Sequence, residues 1–104
     1  MKAQIVFDRD NMNVQKIDVH VEFRHAFQTN GNKIKPHTEA IIWWTTEDGK
    51  RAGGTGIAFV HPNDAPEKRI GRKIALTRAL WASGLTREER RQIWEWLLER
   101  GMRV

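Results

Sequence analysis

Three observations predict an α+β fold, an antiparallel β-meander of four or five strands followed by two C-terminal α-helices. Apolar and polar residues alternate through much of the first half. Turn residues interrupt that half at short intervals, and after about residue 66 the apolar period lengthens from two to that of a helix. Strands gathered first and helices afterwards define this class, whereas regular alternation of the two would indicate a parallel sheet.

The first strand is expected over residues 3–8, around Ile5-Val6-Phe7, with Asn11-Met12-Asn13 as the turn that follows. Residues 16–24 place Ile17, Val19, Val21 and Phe23 on one face and Asp18, His20, Glu22 and Arg24 on the other, the pattern of a half-buried antiparallel strand. Thr29 to Asn32 signals a turn, and Pro36 lacks an amide donor, so a loop or frayed edge is expected around it. Residues 38–46 gather β-branched and aromatic side chains before Glu47-Asp48-Gly49-Lys50, a hairpin turn.

The next strand, residues 51–61, carries Gly53, Gly54 and Gly56, for which a β-bulge in an edge strand is preferred over the close approach of a ligand. Asp64-Ala65-Pro66-Glu67 has the spacing of a helix start, so a first helix should run from about 66 to about 83 and stop at Gly84. Thr86 to Glu89 repeats the capping-box spacing for a second helix over about 87–100, with Ile93, Trp94, Leu97 and Leu98 on one stripe. The expected core sets Ile17, Val19, Val21 and Phe23 against Ile70, Ile74, Trp81, Ile93 and Leu97, which would make Ile74→Asp an unfolding change.

A chain of 104 residues has room for one domain, residues 1–104. It contains no cysteine, so disulfides, thiolate metal sites and thiol nucleophiles are excluded. Its apolar runs are too short to cross a bilayer and no signal-peptide pattern opens it, which points to a cytoplasmic protein without a membrane partner. Four histidines without metal-ligand spacing and a single serine give no support to catalysis, so a binding protein is expected, with neither metal nor cofactor.

Charge is unevenly placed. Residues 1–48 hold six Lys/Arg against seven Asp/Glu, and residues 49–104 hold twelve against six, that is −1 against +6. Lys68, Arg69, Arg72, Lys73 and Arg78 crowd the first helix, where cations near the N-terminus are unfavourable and a bound anion would offset them. Arg72 and Arg78 are the expected phosphate grips, since a planar guanidinium holds two oxygens at once. Arg69 and Lys73 would add field, and His61 stands where a strand ends before the helix. Arg78 projects near the apolar side and needs acceptors, an internal partner being favoured over a ligand phosphate.

Trp43 and Trp44 are adjacent on a strand, so one must face away from the helices, where it could stack on a base or enter a homo-oligomer interface. The preferred ligand is an anionic, phosphate-bearing nucleotide. A nucleic acid remains the alternative, as does docking on a host enzyme through the basic face and tryptophans.

His61-Pro62-Asn63-Asp64, the run Gly71-Arg72-Lys73-Ile74-Ala75-Leu76-Thr77-Arg78-Ala79-Leu80 and Ile93-Trp94 resemble a pattern of small phage and prophage proteins, over roughly residues 58–96. Within that group the layout of sheet and helices is similar to Thoeris anti-defence protein 1. The resemblance implies a non-catalytic, oligomeric phage sponge that sequesters a cyclic ADP-ribose-type immune signal in an infected bacterial cell. Helix arginines, Arg72 and Arg78 first, would grip its phosphates.

Overall fold

A computed structural model describes residues 1–10, 13–31, 33–59 and 68–101. Four strands precede two helices: β1 (Lys2–Asp10), β2 (Asn13–Asn30), β3 (Lys33–Thr45), β4 (Arg51–Phe59), α1 (Lys68–Ala82) and α2 (Arg87–Glu99). The strands form one antiparallel sheet in the order β1-β2-β3-β4, the meander that short turns between alternating segments require. The Asn11–Asn13 turn and the capping spacing at Asp64–Glu67 fall on or overlap positions outside the described residues.

Period-two alternation settles which side of the sheet is covered. Ala3, Ile5, Val19, Val21, Ala40, Ile42, Trp44 and Ala58 all point to one face, where they are buried with Leu76, Leu80, Ile93 and Leu97 of the helices. The helix α1 lies across β4 and β3, and α2 lies against β1. Thr86 caps α2 as its spacing predicts: the Glu89 amide donates to Thr86 Oγ1 at 3.2 Å, and the Thr86 amide donates to the Glu89 carboxylate at 2.9 Å. At the β3–β4 hairpin the Thr46 amide donates to the Lys50 carbonyl at 2.7 Å, as the Asp-Gly signal predicts.

Pro36 corrects one expectation. It lies within β3, opposite Phe27, and not in a loop. Among the described residues the ladder with β4 runs from His37 opposite Phe59 to Thr45 opposite Arg51, and that with β2 runs on through Pro36 to Lys33 opposite Asn30. The β2–β3 pairing thus extends to the Asn30–Lys33 end of the hairpin, and the molecule measures 54 × 28 × 19 Å.

The glycines of β4 correct a second. Pairing from Arg51 to Phe59 runs without a shift of register, so no bulge is present. Gly54 and Gly56 instead admit the backbone of α1, since a Cβ at Gly56 would lie 2.1 Å from the Ala75 carbonyl oxygen and 2.4 Å from the Ala79 nitrogen. Such an approach demands small residues on the helix as well. The buried stripe of α1 is accordingly Ala75, Leu76, Ala79 and Leu80, while Ile70, Ile74 and Trp81, expected in the core, are exposed. Ile93 and Leu97 of α2 are buried as expected.

Side chains of the two helices reach the two outer strands. Gln92 of α2 clamps β1: the Val6 amide donates to Gln92 Oε1 at 2.7 Å, and Gln92 Nε2 donates to the Val6 carbonyl at 3.0 Å. Arg78 of α1 donates to the Ile57 carbonyl of β4 at 2.6 Å. Gln92→Ala removes both partners from Val6 and is expected to cost about 1–3 kcal/mol, read as a lower urea midpoint. An unchanged midpoint would show that α2 is held to β1 by its apolar contacts alone.

Candidate functional site

The basic excess of the second half resides on α1. Its sequence, KRIGRKIALTRALWA, holds five Lys/Arg and no carboxylate, and its first turn has no acidic residue. By contrast α2, REERRQIWEWLLE, sets four Glu against three Arg. Glu89 is buried, so α2 shows solvent a balanced set of charges where α1 shows a basic one.

The sequence-derived candidates separate on the structure. Arg69 and Lys73 are exposed on α1, and Arg72 on the same helix is half-buried. Arg78 is exposed, not turned toward the apolar side, and the internal acceptor it meets is the Ile57 carbonyl and not a carboxylate. His61 lies outside the described residues. Trp44 is in the core, 5% exposed and edge-on to Phe7 with ring centroids 5.7 Å apart.

Trp43 is the tryptophan that faces away from the helices. His20 of β2 stacks on its indole at 3.7 Å with an interplanar angle of 1°, and the Arg51 guanidinium of β4 sits 4.0 Å from the ring centroid. These partners come from the two strands that flank β3, so both faces of the indole are occupied. A base could stack there only by displacing one of them.

The sequence reading missed Trp81, which is 69% exposed. It shares a stripe of α1 with Ile70 and Ile74 at helical spacing, 47% and 39% exposed, and the Arg90 guanidinium of α2 lies 4.3 Å from its ring. The missed signal was Gly54 and Gly56 on the facing strand. They can accept Ala75 and Ala79 but not isoleucine or tryptophan, which turns the larger residues outward.

A cleft of about 410 Å³ lies elsewhere, between β1 and the start of α2, lined by Val6, Asp8, Thr86, Glu88, Glu89, Arg91 and Gln92. Arg91 hydrogen-bonds Glu88 and Glu95, which holds the Glu88 carboxyl below its usual range and raises the guanidinium. Three carboxylates against one engaged arginine make this cleft a poor place for a phosphate. Among the described residues no group of three or more His, Asp or Glu is placed to hold a metal ion, and no helix is long and apolar enough to cross a membrane.

Fold and surface together define a small α+β protein, a four-stranded antiparallel meander with a carboxylate-free basic helix over one outer strand. The chain belongs to the Rv2632c-like family, whose model matches residues 16–93, from β2 into α2. Neither the curated proteins nor the solved structures contain a match to it. The family match gives no support to the resemblance to Thoeris anti-defence protein 1.

Proposed function

We propose that the protein is a non-catalytic binding module that holds phosphate-bearing partners on the outer face of α1, a single strand of nucleic acid being the partner this face fits best. The observation that carries the reading is the juxtaposition on one helix of five cations, no carboxylate and an exposed tryptophan. Cations that track a phosphate backbone, interleaved with an aromatic ring for the bases, are what sequence-tolerant strand binding needs. A helix of fifteen residues extends about 22 Å and offers an open face, which suits a strand better than a small molecule.

Sequestration of a phosphate-bearing nucleotide signal, the activity implied by the resemblance to an anti-defence sponge, is the second reading. It is favoured by Arg78, whose guanidinium is fixed against the Ile57 carbonyl and so offers a pre-oriented fork to a single phosphate group.

Fluorescence anisotropy with a short labelled single strand, competed by mono- and dinucleotides over a range of salt, separates the two. Strand binding should fall steeply as salt rises, because each neutralised phosphate releases counterions, and Trp81→Ala should weaken it by about 1–3 kcal/mol without loss of folding. Tighter binding of a small nucleotide, with a shallow salt dependence, would replace the first reading with the second. Affinity for either ligand that moves less than about threefold in Trp81→Ala, Lys73→Glu and Arg72→Ala would remove α1 as the site.

A further inference from the structure

The strand β3 is apolar on both sides. Ala40, Ile42 and Trp44 enter the core, and the intervening Ile41 and Trp43 lie on the opposite face of the sheet. An antiparallel sheet with one face in water alternates, whereas a continuous apolar run marks a strand covered on both faces. The described parts of the chain cover only one.

The adjoining strand extends the same surface. Ile57 and Phe59 of β4 are 38% and 54% exposed, and the register sets them beside Glu39 and His37 on the face that carries Ile41 and Trp43. His37 Nδ1, on this face, is buried without a hydrogen-bond partner among the described residues. Trp43 is held upright between His20 and Arg51, so its ring is already ordered before anything docks.

From this surface we infer that the open face of the sheet is the interface of a homodimer, with a second copy of this chain packed sheet to sheet. Charge selects the occupant. The chain carries a net charge of +5 and concentrates its cations on α1, so copies repel one another there. Around the apolar row of the open face stand charges of both signs, Asp18, Glu22 and Glu39 with Lys16, Arg24 and Arg51, Arg24 lying 3.8 Å from Glu22, and a two-fold axis can bring acidic groups of one copy to basic groups of the other. An anionic partner finds no such preference on this face.

Edge-to-edge pairing is the other route to a β-sheet dimer. Gln92 occupies both backbone groups of Val6 on β1, and Arg78 occupies the Ile57 carbonyl on β4, so a new strand must displace a helix side chain at either outer strand. The face remains. Four strands about 4.8 Å apart and about nine residues long cover roughly 600 Å², close to the roughly 800 Å² per partner of a standard interface.

Sedimentation of the whole chain from about 1 to about 100 μM spans the range over which a micromolar dimer dissociates. The wild type is expected to be dimeric at the upper end. Ile57→Lys places a cation opposite Glu39, which the isolated sheet tolerates, and is expected to weaken self-association by about a hundredfold or more. Phe59→Lys, at the end of β4, repeats the test should Ile57→Lys fail to fold, as read by circular dichroism. Ile74→Lys on the exposed side of α1 should leave the dimer intact. A monomeric wild type throughout the range, a folded Ile57→Lys or Phe59→Lys variant as dimeric as the wild type, or a dimer dissolved by Ile74→Lys would overturn the inference. Strand binding through α1 is read separately and can fail without affecting this result.

Discussion

Replacing Gly56 by valine is expected to abolish the native fold. A Cβ there would stand 2.1 Å from the Ala75 carbonyl oxygen, 2.4 Å from the Ala79 nitrogen and 2.7 Å from the Arg78 Cβ. Two of these three are backbone atoms of a fifteen-residue helix, so no side chain can rotate away and α1 must lift as a body. Lifting it withdraws Leu76 and Leu80 from the core, each about 2 kcal/mol of apolar burial, in a chain whose whole stability is on the order of 5–15 kcal/mol. Gly56→Ala meets the same first contact with a smaller group and should be strongly destabilised as well. A cooperative melt of Gly56→Val within a few degrees of the wild type would show that α1 does not rest on β4 in solution.

The reading of the strands from sequence succeeded where the signal was periodic and local. Ile17 to Phe23 alternates because β2 has the core on one side, and Asp48-Gly49 reverses the chain with little help from distant residues. It failed where a second element decides the outcome. Pro36 was expected in a loop or frayed edge, and it is instead carried within β3 by pairing with β2, opposite Phe27. On α1 both sides of the helix carry large apolar residues, so periodicity alone admits two faces, and the choice is made by Gly54 and Gly56 across the interface.

The candidate surface was legible to the same degree. Five cations without a carboxylate on α1 are a property of composition and survive any rotation of the helix. Which of them project freely depends on that rotation, and Arg78, read as turned toward the core, projects outward and rests on a strand carbonyl. For the tryptophans, adjacency required that Trp43 and Trp44 part company. The identity of the outward one followed only from register with β2, which sets His20 beside Trp43 and Val21 beside Ile42. Trp81 was lost to the site for the reason that Ile74 was lost to solvent: the wrong face of α1 was taken as the core.

That reversal yields a pair of variants with opposite expected outcomes. Leu76 is fully buried among the apolar residues of the sheet and the two helices, and Leu76→Asp would set a carboxylate there with no cation among the core residues to receive it. The cost of an unpaired buried charge is several kcal/mol even after its pKa rises to favour the neutral acid. Loss of the leucine's packing adds about 2–5 kcal/mol. Together these equal or exceed the stability of an ordinary domain, so Leu76→Asp should be unfolded at neutral pH, with partial recovery only at acid pH where the carboxyl is protonated. Ile74→Asp, two residues away on the same helix, replaces a side chain that is 39% exposed. It adds an acidic group four residues before Arg78 on a helix that has no carboxylate, a spacing at which opposite charges attract. Its denaturation midpoint should lie within about 1 kcal/mol of the wild type. The two changes differ in chemistry only by the side of α1 on which the carboxylate lands. An unfolded Ile74→Asp beside a stable Leu76→Asp would therefore return the helix to the orientation first read from its sequence.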